Sequence, residues 1–298
     1  MKNKNIFHES RTLFRAKFKL YWPLIKSLQT GLLVITGITG YISARCPVIT
    51  WDVFAGLIGS LFLTVSGSTV LNMIYDRDID AKMGRTAHRP LPSGKLSVKE
   101  TLVLGSFLSF AGLFWAFMLS VPYGMVVFAG IFIDVVIYTI WLKRKTAWSI
   151  IWGGVSGGMP ILAGRVLGLG HVDSIGLLFA LAILLWIPTH IMTFSMRYFD
   201  DYKRAGVPTF PSTYGNKKTT LVIAFSSLAA AVAIGIGAVA LGLSWGYLRL
   251  FIVLSTGILG LAIVIVFRPS EKVNFGMFKY ASVYMLSSMI MIALGVMS

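Results

Sequence analysis

Residues 53–75, VFAGLIGSLFLTVSGSTVLNMIY, run without a charge, and residues 76–80, DRDID, follow at once. The first stretch has the length of a bilayer-crossing helix, which needs ~20 predominantly apolar residues. The second places three carboxylates where that helix would leave the membrane. Such groups cost several kcal/mol each when left unpaired in hydrocarbon, by rough estimate. A chain that ends an apolar helix this way needs a partner for the acids.

Outward from this stretch the same pattern recurs. The chain has 298 residues, 56% hydrophobic and 13% charged, with mean hydropathy +0.78. These values exclude a soluble globule and define an integral membrane protein. Nine apolar stretches read as spans: 22–44, 53–75, 101–120, 122–142, 148–167, 175–196, 219–243, 247–267 and 280–296. The fold class expected is therefore all-α, a polytopic membrane bundle of about nine transmembrane helices in a single domain covering 1–298. The extramembrane loops leave no room for a second soluble domain.

The net charge of +16 is explained by placement rather than by nucleic acid. With the N-terminus inside, 24 of the 27 basic residues fall in inner loops, leaving Arg45, Arg165 and Arg249 outside. That is the positive-inside asymmetry. Residues 1–21 are basic and aromatic, suited to lying on the inner interface. Residues 22–44 are too long for a signal core and read as a retained first helix, while the basic segment before them has a short organellar transit segment as its competing reading. The single cysteine, Cys46, excludes an intrachain disulfide or a cysteine metal cluster.

On a helix Asn72, Asp76 and Asp80 fall within a wedge of about 80°, while Asp78 points to the opposite side. An amide and two carboxylates on one face suit Mg²⁺, a hard ion commonly bound through one or two carboxylates together with substrate phosphates. A solvated helix end would give the same acids. The loop that follows, AKMGRTAHRPLPSGK, supplies Lys82, Arg85, His88, Arg89 and Lys95, cations suited to a polyanion. Acids for a metal beside bases for oxygens, at a membrane surface, are what a diphosphate on a lipid tail requires.

A second inner loop repeats the arrangement faintly. In RYFDDYKRAG, Asp200 and Asp201 follow Arg197 and precede Lys203 and Arg204, and prolines turn the chain afterwards as they do in the first loop. This second acidic site could hold another Mg²⁺ on the same diphosphate, although exposed Asp-Asp pairs are common. Two ionisable groups lie inside spans. Asp134 is a functional candidate by position, or else a protonated or helix-paired group. His190 is a hydrogen-bonded core histidine or a substrate contact. GGVSGGMP at 153–160 lacks the ending of a phosphate loop and reads as close helix packing or as room for a bulky substrate.

These residues resemble the UbiA-type intramembrane prenyltransferases. NMIYDRDID matches the family's N-x-x-x-D-x-x-x-D motif, and RTAHRPLPSG its R-T-x-x-R-P-L loop. Three stretches, 76–86, 138–160 and 188–211, are similar to the haem O synthase branch, the protohaem IX farnesyltransferases. The resemblance covers roughly 72 to 214. Its second motif is D-D-Y rather than the D-x-x-x-D of quinone-type members, which favours the haem branch. PTHIM stands where that branch more often has P-P-H-F.

The resemblance implies Asn72, Asp76, Asp80 and Asp201 as Mg²⁺ ligands, with Asp200 in the second acidic site, and Arg85, Arg89 and Lys203 as diphosphate contacts. It implies Tyr138 and Lys143 beside the reacting prenyl head, and His190 against the acceptor, through iron or a propionate. It further implies farnesyl diphosphate and haem B as substrates, haem B not being a prosthetic group. Haem-modifying or oxidase-assembly proteins would act downstream. The location implied is the cytoplasmic membrane with the site facing the cytoplasm, ahead of the mitochondrial inner membrane. Two other readings remain at this stage. One is a prenyltransferase acting on an aromatic quinone precursor or a glycerophosphate ether lipid. The other is a transporter lined by Asp134 and His190.

Overall fold

The computed structural model describes residues 18–45 and 50–298, and among them every regular element is helical. The interfacial segment expected over 1–21 therefore lies mostly outside the described residues, as does Cys46. The helices are α1 (Ser27–Ser43), α2 (Trp51–Tyr75), the short α3 (Arg77–Lys82), α4 (Val98–Leu119), α5 (Val121–Ile131), α6 (Ser149–Leu169), α7 (Ser174–Arg197), the short α8 (Phe199–Ala205), α9 (Phe210–Ala240), α10 (Trp245–Phe267) and α11 (Glu271–Met297). Helix α5 continues without a break into a π-helical segment, Phe132–Leu142.

Eight of these helices have the length and apolarity to cross a membrane. The first span differs from the expectation of 22–44. Pro23 opens a separate 3-10 turn at Trp22–Ile25, Lys26 adopts a left-handed conformation with φ 43°, and α1 then runs for 17 residues. Proline is tolerated in a first turn but cannot continue a ladder behind it.

Of the apolar clusters among the described residues, the two largest hold the bundle. One joins α1, α2, α4, α5 and α6 around Leu57, Leu61 and Tyr123. The other joins α6, α7, α9, α10 and α11 around Phe179, Ile234, Ile258 and Tyr284. Helix α1 packs on both α6 and α11 and closes the two halves on one another. The approach of α1 to α6 is so close that a Cβ at Gly164 would drive into the Gly37 carbonyl. Small residues at helix crossings are the usual device in lipid, where apolar burial offers little preference for helix over lipid tail. The glycines of 153–160 act the same way, Gly158 lying against the Ala180 backbone.

Polar side chains join helices inside the bundle. Ser60 Oγ and Tyr123 Oη lie 2.8 Å apart, Trp186 Nε1 donates to the Ala281 carbonyl at 2.8 Å, and Asn274 Nδ2 donates to that of Thr193 at 2.8 Å. At one end of the bundle Arg165 makes two 2.7 Å bonds to Asp173 and one of 2.6 Å to the Ser43 carbonyl. Large apolar side chains such as Phe110, Phe114, Trp245 and Phe267 are exposed, the outward face a protein presents to lipid. The long connection 83–97 and the short one 206–209, with α3 and α8, gather at the other end.

Candidate active site

The aspartate motif does not lie on one unbroken helix. Helix α2 stops at Tyr75, Asp76 takes φ −85° and ψ 0°, and α3 restarts at Arg77. The face survives the break because Asp76 N bonds the Asn72 carbonyl at 2.9 Å and Asp80 N bonds that of Asp76 at 2.8 Å. Asp76 and Asp80 are 7% and 8% exposed, whereas the Asp78 side chain is 55% exposed. Asp78 turns away to Arg144, which holds it with bonds of 2.8 and 2.6 Å and keeps its carboxyl below the usual carboxylate range.

Each inward acid has a cation. Lys143 pairs with Asp76 through Oδ2, and Arg89 with Asp80 at 3.2 Å. Lys143 also stands 5.6 Å from the Tyr138 ring centre. Asn72 gives its Nδ2 to Asp134 at 2.7 Å, and Ser68 donates to the same Asp134 oxygen. The intramembrane carboxylate Asp134 is thus paired across helices with α2, directly behind the motif. Four buried polar atoms here have no hydrogen-bond partner: Asn72 Oδ1, Asp76 Oδ1, Arg85 Nε and Arg144 Nε.

The π-helical segment explains how one stretch reaches both Asn72 and Asp76. Asp134 and Lys143 are nine residues apart, which on an α-helix places them on opposite faces at about 100° per residue. Under i→i+5 bonding, about 82° per residue, nine steps return nearly to the same face. The Lys143 N to Tyr138 O bond of 2.8 Å is one such link.

The second loop meets the first. Gly84 N donates to Asp201 Oδ1 at 3.2 Å, Arg204 pairs with the same carboxylate, and Arg85 donates to Tyr202 Oη at 3.2 Å. Arg85 is caged by the rings of Phe194, Tyr198 and Tyr202, 4.9 to 5.5 Å from its guanidinium carbon. Asp201 is 9% exposed; Asp200 and Lys203 are exposed and enter no ion pair among the described residues. The structure therefore brings Asn72, Asp76, Asp80, Arg89, Tyr138 and Lys143 together, joins Arg85 and Asp201 to them through the loop, and leaves Asp200 and Lys203 at the surface.

His190 sits deeper, between the rings of Trp186 at 4.9 Å and Phe278 at 4.6 Å, with Ser282 Oγ 3.3 Å from Nδ1. Two residues escaped the sequence reading. Ser68 continues the spacing of four from Asn72, a signal that was present. Lys26 lies ahead of α1 within electrostatic reach of Lys143, Arg89, Asp76 and Asp80; loss of solvent, then the first two of those cations, draw its ammonium down to about 8. Only the fold brings it there.

The donor set fits Mg²⁺. Among the described residues no three His, Cys, Asp or Glu side chains form a cage of their own. The unpartnered Asn72 and Asp76 oxygens, one turn apart, instead offer an incomplete set of hard ligands, the kind substrate phosphates complete.

Buried acids paired to cations thus sit together at one end of an all-helical membrane bundle. The model of the UbiA prenyltransferase family matches residues 33–284, and the chain belongs to that family as a prenyltransferase. It is 42% identical over 213 residues to the protoheme IX farnesyltransferase of Archaeoglobus fulgidus, covering 72% of this chain and 75% of that one. It is 39% identical over 245 residues to that of Pyrobaculum islandicum, covering 82% and 83%. In fold it is similar to a digeranylgeranylglyceryl phosphate synthase, with TM-score 0.78, 21% identity, and 94% and 99% of the two chains covered. A UbiA homologue from Archaeoglobus fulgidus solved with GPP and Mg²⁺ aligns with TM-score 0.64 at 14% identity, covering 92% and 98%.

Proposed function

We propose that the chain is a haem O synthase, transferring the farnesyl group of farnesyl diphosphate to a vinyl group of haem B. The observation that carries this is the identity of about 40% to relatives named protoheme IX farnesyltransferase over most of the chain. The flat stack of Trp186, His190 and Phe278 beside the diphosphate loop supports it as a surface for a planar acceptor. The membrane is the cytoplasmic one, with the site facing the cytoplasm, as the placement of 24 basic residues on that side supports.

Asn72 and Asp76, with Asp80 and Asp201 near them, would hold Mg²⁺. The ion supplies Lewis-acid neutralisation of charge on the leaving diphosphate. Arg85, Arg89 and Lys143 add fixed positive charge where that anion develops, in a site screened from water by the loop and the bundle. The allylic C1–O bond breaks with its electron pair leaving on diphosphate, and a vinyl carbon of haem B forms the new bond to C1. Water then adds to the adjacent vinyl carbon and loses a proton, giving the hydroxyethylfarnesyl side chain. The aromatic stack and the apolar bundle hold macrocycle and prenyl tail near one another, which lowers the barrier further.

The test is a product assay in detergent with Mg²⁺ and farnesyl diphosphate, read by mass, with haem B, 4-hydroxybenzoate and geranylgeranylglyceryl phosphate as parallel acceptors. Farnesylated, hydrated haem formed only with Mg²⁺ is expected. Product with another acceptor instead would overturn the haem assignment and keep the aspartate chemistry. Solute movement in proteoliposomes with no product in any tube would favour transport.

A further inference from the structure

Helices α7 and α11 face one another with a matched ladder. Along α7 it runs Trp186, His190, Phe194, Arg197, at spacings of four and three, and along α11 Phe275, then Phe278 and Lys279, then Ser282, which at about 100° per residue keeps each set on one face. The rings are nearly parallel, 22° between Trp186 and His190, 25° between His190 and Phe278, and 8° between Phe278 and Phe275. At its membrane-surface end the ladder carries two cations over a single ring: the Arg197 guanidinium carbon is 3.8 Å, and Lys279 Nζ 4.6 Å, from the centre of Phe275.

We propose that Arg197 and Lys279 form a carboxylate subsite, which binds the two propionates of a haem acceptor lying against this ladder. The proposal rests on the haem reading given above and names the groups that recognise the acidic edge.

Three observations support it. Both cations are exposed, and neither enters an ion pair among the described residues, although two like charges are gathered at one ring. The positive-inside asymmetry explains why cations lie on this side of the membrane, but not why two converge on the ring that ends an aromatic stack. The ladder also adjoins the diphosphate loop, since Phe194 lies 5.7 Å from Phe278 and carries Arg85 over its ring at 4.9 Å. A flat apolar body with two acids on one edge matches a surface that is aromatic inside and cationic at its rim. Guanidinium and ammonium bind carboxylates by charge-assisted hydrogen bonds. Anchoring that edge leaves the vinyl-bearing remainder of the macrocycle inside the bundle, beside His190.

The experiment compares haem B with its dimethyl ester, which keeps the macrocycle and loses both charges. Binding is read by Soret titration of the purified wild type, R197Q, K279Q and the double variant, and KM is measured for each substrate. Wild type should bind haem B at least about tenfold tighter than the diester. The double variant should lose that preference, with KM raised for haem B and unchanged for farnesyl diphosphate. Equal affinity of wild type for the two acceptors, or an unaltered haem affinity in a double variant whose melting temperature matches wild type, would overturn the subsite. If wild type neither binds nor farnesylates haem B, the acceptor reading itself falls. Should the double variant unfold, K279Q alone, at an exposed position, decides by the same comparison.

Discussion

Asp76 spends one oxygen on Lys143 and leaves the other free, and this division sets what its removal does. Asp76→Ala and Asp80→Ala should each lower transfer by at least about 10²-fold, the scale for losing one electrostatic partner of a developing anion. Asp78→Ala should stay within about tenfold of wild type, because an exposed ion pair contributes little. Transfer rates beside melting curves check this, and equal losses at all three positions would contradict the facing of the motif. Asp134 holds the Asn72 amide, so Asp134→Ala should raise the Mg²⁺ concentration needed for half-maximal transfer several-fold, on the order of one hydrogen bond to a charged group. Asp134→Asn keeps an acceptor oxygen and should restore much of it. Lys26 supplies a pH dependence. Its ammonium is charged below about 8, and a bound diphosphate would push that value back up, so binding takes up a proton as pH rises through 8. Affinity for a prenyl diphosphate analogue should therefore weaken above pH 8, and Lys26→Gln should flatten the profile. The spacing of Asn72, Asp76 and Asp80 was legible in the sequence because four-residue steps share a helix face. The Asp134 pairing and the place of Lys26 were not, since both depend on which helices meet.

At the scale of elements the π-helical segment is the part that hydropathy could not reveal. Residues 122–142 read as one uniform span, since apolar content does not distinguish 3.6 residues per turn from a wider coil. Yet the wider coil aligns Asp134 with Asn72 and Lys143 with Asp76. Deleting Val136, an exposed residue in mid-segment, should let it tighten toward an α-helix and turn Lys143 off the site. Transfer should fall by at least about 10²-fold, with the bundle still folded by circular dichroism; unchanged transfer would show that the segment does not set the register. Breaks elsewhere were partly legible. Pro23 marks the turn before α1, whereas the restart at Asp76 has no proline or glycine to announce it. The kink at Gly215, with φ 81°, lies where expectation had the span begin only at 219, and α9 in fact starts at Phe210 on a Thr209 cap.

For the whole molecule, nine apolar stretches were enough to fix an all-α membrane bundle, because a chain in lipid must satisfy its backbone within helices. They were not enough to say that α1 closes two cores, or that the loop 83–97 and helix α8, far apart in sequence, meet through Gly84 and Asp201. That meeting puts acids and bases from both halves at one mouth. The buried carboxylates persist there because internal cations offset part of their charge, and a metal with a substrate diphosphate would complete the set. The direct measurement is electron–nuclear double resonance of Mn²⁺, in place of Mg²⁺, on protein mixed with the unreactive farnesyl thiodiphosphate. The account predicts a bound Mn²⁺ coupled to phosphorus in wild type, and loss of that signal in Asn72→Ala and Asp76→Ala. A phosphorus coupling that survives in both variants would contradict it.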